Sequence, residues 1–285
     1  MSLSPVTHMP PAPEPPKAGC MPLTPTERRL CLGGWLALTA WLAAVLWGAQ
    51  ALAALGWPPE LHGHPFAHPR SVWGIPHVWD VLSNLPFLLA GVWGWWSLKR
   101  PRPQPIHIAT WRALQVFFLG LVLTSLGSAF YHWTPDAHSL VVDRLGMAVA
   151  FAGVLGLAMA ERVGAQTARN TLMAVLVLAV LSAVMPLTHG NPLPWLVVQL
   201  GGMGLLAWTA ARRPLPTALG VSLATVLAWY VLAKCLEMGD AAIYDLTAGG
   251  VAGHSLKHVL AAMAALPVIR ALRQNAHTAN RPSAR

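Results

Sequence analysis

Long apolar runs separated by short polar loops dominate the chain. They fall at about residues 30–56, 81–98, 114–133, 140–160, 171–187, 194–211, 217–236 and 254–272. A stretch of roughly 20 apolar residues is long enough to cross a bilayer core. The pattern therefore predicts an all-α, polytopic membrane helix bundle of eight helices. The first run is too long for a signal-peptide core of roughly 7–15 residues, and its basic flank, Arg28 and Arg29, starts late. It reads as an additional N-terminal transmembrane helix, residues 26–57, ahead of a seven-helix core over residues 73–272. Residues 1–25 are rich in proline and lack an apolar run, so they read as a disordered tail. Residues 273–285 form a basic C-terminal tail. No internal repeat is visible.

Composition agrees. The chain is 55% hydrophobic and 10% charged, with a mean hydropathy of +0.51, whereas soluble domains carry about 25% charged residues. The formal charge of +9 would suggest nucleic acid in a soluble protein. Here the basic residues cluster in loops, where they set membrane orientation. Arg28 and Arg29 precede the first run. Lys99, Arg100, Arg102 and Arg112 separate the second and third, Arg162 and Arg169 follow the fourth, and Arg212 and Arg213 follow the sixth. Arg270, Arg273, Arg281 and Arg285 end the chain. With eight helices every cluster falls on one face, which puts both termini in the cytoplasm. Cys20, Cys31 and Cys235 form neither a CxxC pair nor an even framework.

Ionisable residues inside a membrane are costly and ask for a reason. Ser128 and His132 are four apart at the end of the third helix and share a face. Asp143 opens the fourth helix across a short loop, level with His132. His254 and His258 are also four apart, at the start of the eighth helix, a spacing that can hold one divalent metal. In the eight-helix topology His132, Asp143 and His254 all lie at outer ends. A single membrane histidine often only hydrogen-bonds a neighbouring helix. Five such residues at one depth point to a metal site near the outer face instead. Three histidines leave zinc one open position, the arrangement of a catalytic site. Asp143 is then the candidate proton-transfer group and Ser128 the candidate for orienting water or an oxyanion.

These residues resemble the alkaline ceramidase family, within a superfamily of seven-helix membrane hydrolases that includes adiponectin-receptor-like proteins. The resemblance rests on S-x3-H at Ser128 and His132, Asp143 eleven residues later, and H-x3-H at His254 and His258. The WDVLSN stretch, Trp79 to Asn84, looks like the opening of the family's first core helix. The resemblance covers residues 73–272. It implies Zn2+ held by His132, His254 and His258, a site completed by Asp143 and Ser128, and a ceramide-like membrane lipid as substrate. Two departures stand out. His77 occupies the position of a glutamate in the family's calcium site, and no acidic cluster precedes the first core helix. Lys234 and Glu237 stand where the family has an aspartate in its sixth core helix.

Lys234 and Glu237 read as an interfacial ion pair three residues apart at the end of the seventh helix, with a substrate-headgroup role as the alternative. Asp136, His138 and Asp240 read as loop residues facing water. His62, His64 and His68 read as part of a solvated loop. Tryptophans near helix ends, among them Trp57, Trp73, Trp79, Trp111, Trp133 and Trp195, read as an interfacial belt. The functional expectation is amide hydrolysis by a metal-activated water. The alternative is a non-catalytic metal-binding receptor or sensor of the same fold. A divalent-metal transporter would place its ligands at mid-membrane on broken helices. No protein partner is implied.

Overall fold

The computed structural model describes residues 25–56, 71–101 and 105–277. Among them the secondary structure is helical: α1 (Pro25–Ala54), α2 (Val78–Leu82), α3 (Leu85–Leu98), α4 (Ile108–Trp133), α5 (Ala137–Arg162), α6 (Ala165–His189), α7 (Leu193–Ala210), α8 (Leu223–Met238), α9 (Asp240–Leu246), α10 (Gly253–Met263) and α11 (Leu266–His277). Two compact units divide the chain, Met1–Leu38 and Thr39–Arg285. The first contributes the opening turns of α1.

Seven helical stretches among the described residues are long and apolar enough to cross a membrane, with α2 and α3 counting as one and α10 and α11 as another. Their outer surfaces carry large apolar side chains such as Leu89, Leu126, Phe130, Met173 and Leu200. Their inner surfaces hold Asp80, Asn84, Ser128, His132, Glu161 and His258, all buried. Apolar outside with polar groups inside is the distribution a lipid solvent selects. The chain is a multi-pass, all-α integral membrane protein.

The seventh predicted helix is shorter than its apolar run. The expectation was a helix over 217–236, whereas α8 begins at Leu223. Pro214 and Pro216 deny the approach two backbone donors. The buried Glu161 carboxylate then collects the N–H groups of Leu219, Gly220 and Val221 at 2.7, 2.9 and 2.9 Å. Those donors are held by a side chain and cannot enter a helical ladder. Sixteen residues of α8 span only about 24 Å.

Two helices predicted as continuous are broken. Pro86, at the second position of α3, separates it from α2 at Ser83 and Asn84. Pro267 separates α10 from α11 at Ala264 and Ala265. Proline offers no N–H to the preceding turn and crowds it. Both breaks lie in helices that pack together, α10 against α2 and α3.

Small residues bring α4 and α5 into close contact. A Cβ at Gly127 would lie 2.7 Å from the Val142 carbonyl oxygen and 3.2 Å from Asp143 Cα. Glycine removes that obstacle, as small residues commonly do between membrane helices. It thereby draws Ser128 towards Asp143. The connection between the two helices is set by a capping box: Asp136 Oδ1 accepts the Ser139 N–H at 2.7 Å, and Ser139 Oγ accepts the Asp136 N–H at 3.0 Å. Asp136 is exposed, as expected, and the Ser139 backbone N–H holds its carboxyl below the usual range. In the second unit, Trp41 of α1 donates its indole N–H to Ser182 of α6 at 2.7 Å.

Candidate metal centre

His132 reaches the site from the last turn of α4, and His254 and His258 from the first two turns of α10. All three are at most 3% exposed. One ligand nitrogen from each can be chosen so that all three lie within 4.8 Å of one another. His132 Nε2 and His254 Nε2 are 3.3 Å apart. A tetrahedral ion with metal–nitrogen bonds of about 2.0–2.1 Å sets neighbouring ligand nitrogens about 3.3–3.4 Å apart. The pair thus already has the edge length of such a site. Three buried imidazoles suit a divalent cation of intermediate softness.

The break between α2 and α3 supplies support for the third histidine. Ser83 Oγ is 2.8 Å from His258 Nδ1 and donates to the Asp80 carbonyl at 3.1 Å. With the hydroxyl proton committed to that carbonyl, Nδ1–H of His258 donates to Oγ. The imidazole is then the tautomer whose Nε2 lone pair is free for a metal. Asn84 Nδ2 also donates to the Asp80 carbonyl, at 2.8 Å, and the Asn84 carbonyl accepts from Ser125 Oγ at 2.8 Å. The Asp80 carboxylate, fully buried, accepts from Ser255 Oγ at 2.6 Å, which ties α10 to α2 between the two histidines.

Asp240 departs from expectation. It was read as a water-facing loop residue, yet it is 5% exposed and accepts the His254 N–H at 2.7 Å. The first turn of a helix has unpaired N–H groups, and a carboxylate is the favoured acceptor there. Asp240 therefore anchors the first turn of α10 at His254.

Ser128 and Asp143 come together as expected, the serine hydroxyl serving the carboxylate as a hydrogen-bond partner. Asp143 Oδ1 is buried with no hydrogen-bond partner among the described residues. Both side chains line a cavity of about 130 Å³, and so does His258. Its walls are largely apolar, with Phe87, Phe117, Leu121 and Phe151, and its polar spots include Gln199 and Tyr230. Trp195 also lines it and is buried, so it does not belong to an interfacial belt. Trp73 and Trp133 are exposed, as a belt requires. Trp57, His62, His64 and His68 lie outside the described residues.

The Lys234–Glu237 ion pair is present, and Lys257 joins it: Lys257 Nζ donates to Glu237 Oε1 at 2.9 Å. Lys257 Nζ is also 3.2 Å from His254 Nε2. Lys257, and the particular roles of Asp80 and Ser83 within the WDVLSN stretch, are not among the expectations from sequence. Lys257 has the i+3 offset from His254 as its signal. Ser83 has none, because its role exists only where Pro86 breaks the helix.

Comparison with protein-family models and with curated proteins finds no match to this chain. The geometry stands on its own.

Proposed function

We propose that the protein is a zinc-dependent intramembrane hydrolase that cleaves an amide bond in a ceramide-like lipid. The observation that carries this is the adjacency of a buried three-histidine cluster to an apolar cavity lined by Ser128 and Asp143. A transport site would hold its ligands at mid-membrane, whereas His132 lies in the last turn of α4 and His254 in the first turn of α10. Zinc bound to three histidines supplies Lewis acidity and lowers the pKa of a water ligand to about 7.

The chain's own residues do the rest. His132, His254 and His258 would hold the ion. The apolar walls seat a lipid chain and keep bulk water away from the amide. Asp143 Oδ1 takes a proton from the attacking water and returns it to the departing amine nitrogen. Ser128 orients Asp143 by its hydroxyl. The balance is amide plus water giving carboxylic acid plus amine. In the eight-helix topology the site opens to the outer leaflet, with both termini in the cytoplasm.

The test is Asp143→Asn, which keeps size and hydrogen bonding but removes the basic carboxylate. Purified variant and parent are compared for zinc content by elemental analysis and for turnover of lipid extracts by mass spectrometry. The expected result is full zinc content with turnover reduced about 10²–10⁴-fold, the usual contribution of a positioned acid–base group. Undiminished turnover would remove Asp143 from catalysis. A parent that holds zinc but turns over no amide lipid would favour the alternative, a metal-binding sensor of the same fold.

A further inference from the structure

Three histidines, a serine and an aspartate suffice for hydrolysis, and Lys257 is surplus to that set. It follows His254 by three residues on α10, so its side chain shares the face that carries the cluster. An ammonium group 3.2 Å from a ligand nitrogen repels a cation at that nitrogen. A lysine could instead extend its flexible stem away into lipid headgroups or water. Glu237 prevents this. Its Oε1 accepts from Lys257 at 2.9 Å while its Oε2 accepts from Lys234. One carboxylate serves two ammonium groups, which leaves one positive charge in excess in the trio. The Lys257 and Glu237 side chains are 18% and 13% exposed, so the charge on Lys257 is poorly screened, while Lys234 is 35% exposed.

All three members of the trio line the same cavity as Ser128 and Asp143. Asp143 is acted on electrostatically by Lys257 first and then by the neighbouring Arg144, so its single charge is shared between two cations. It does not cancel the excess. A divalent ion on the neutral imidazoles would add two further positive charges. An apolar chamber with fixed surplus positive charge favours a ligand that brings a negative one.

We propose that Lys257, braced by Glu237 and Lys234, is a seat for an anionic group, so that the preferred amide lipid carries a carboxylate or phosphate next to the scissile amide. This rests on the hydrolase reading for the word amide, but the anion seat is a property of the cavity and is tested by binding. Glu237 fixes the ammonium, Lys257 donates to the anionic oxygen, and the acyl chain lies along Phe87, Phe117 and Phe151. Against a neutral headgroup the ammonium keeps Glu237 and the His254 ring as partners, whereas an anionic oxygen adds a charge-assisted bond.

The experiment measures dissociation constants in nonionic micelles for two matched pairs: N-palmitoylglycine against its methyl ester, and N-palmitoylethanolamine phosphate against N-palmitoylethanolamine. The protein is the chelator-treated parent chain, which keeps the Asp143 charge, and, separately, zinc-loaded Asp143→Asn. Each anion is expected to bind at least about tenfold tighter than its neutral partner, the scale of a hydrogen bond to a charged group. The preference should persist after chelation, which separates the lysine seat from direct binding to metal. The pair showing the larger preference identifies carboxylate or phosphate. Lys257→Met should abolish the preference, while Lys257→Arg, which keeps the charge, should preserve it. Lys234 remains as partner to Glu237 in both variants, so no buried carboxylate is stranded. Equal binding of anionic and neutral partners overturns the proposal, even if the parent protein hydrolyses neutral amides well. An anion preference without any turnover supports the seat and removes the hydrolase reading alone.

Discussion

Ser83→Ala tests whether the break between α2 and α3 supports the metal centre or is only a packing feature. The change removes one hydroxyl that accepts from His258 Nδ1 at 2.8 Å and donates to the Asp80 carbonyl at 3.1 Å. The second loss is covered, because Asn84 Nδ2 still donates to that carbonyl at 2.8 Å. No large void opens, since a single oxygen is deleted. The effect is therefore concentrated on the His258 ring. A hydrogen bond to a charged partner is worth about 1.5–3 kcal/mol, and a metal-bound imidazole is such a partner. Loss of an outer hydrogen bond to a ligand histidine typically weakens metal binding roughly 10–100-fold, which agrees with that energy. Competition against a chromophoric zinc chelator in detergent measures the affinity directly. Ser83→Thr, which restores the hydroxyl, should recover most of it. A Ser83→Ala protein with parental zinc affinity and an unchanged melting temperature would refute the argument that this hydroxyl sets the His258 tautomer.

Replacing His254 and His258 together by Ala should abolish stoichiometric zinc, read by elemental analysis, whereas full retention would make the cluster structural. Glu161→Ala should lower thermal stability in detergent by at least about 3 kcal/mol, because it strands three N–H groups at about 1–3 kcal/mol each, and Glu161→Gln, which keeps one acceptor oxygen, should lose less; a melting curve identical to the parent's would refute the role of Glu161 as the loop's anchor. Reporter fusions after Arg100 and Arg213 should register the cytoplasm and one at Asp136 the opposite side, and an external signal at Arg100 would overturn the orientation drawn from the basic loops.

How much of the site was legible differs residue by residue. His254 and His258 were visible because a helix repeats its face every three to four residues, so the spacing alone places both on one side. Ser128 and His132 were visible for the same reason. Asp143 needed only a short loop between antiparallel helices. Asp240 was misread because a residue between two helices looks solvated until the fold buries it against the N-terminus of α10. The start of α8 was misread because apolarity continues through 217–222, and only Glu161, some sixty residues earlier, claims those donors.

The sequence by itself determined the solvent. An apolar run long enough to span lipid can leave no backbone group unpaired, so it becomes helix except where another group claims its donors, as Glu161 does before α8. That physics is local, and it settled the all-α bundle, the number of long spans within one, and the helix faces carrying the candidate ligands. The tertiary structure decided what meets what. The 3.3 Å approach of His132 to His254 joins helices 122 residues apart in sequence. Ser83 beside His258, and Lys257 held by Glu237, likewise depend on distant segments meeting. Such contacts follow from how Gly127 lets α4 and α5 close and from where Pro86 and Pro267 interrupt two packed helices. A run of apolar letters encodes that lipid is preferred. It does not encode which polar groups the bundle will turn towards one another once lipid has claimed the outside.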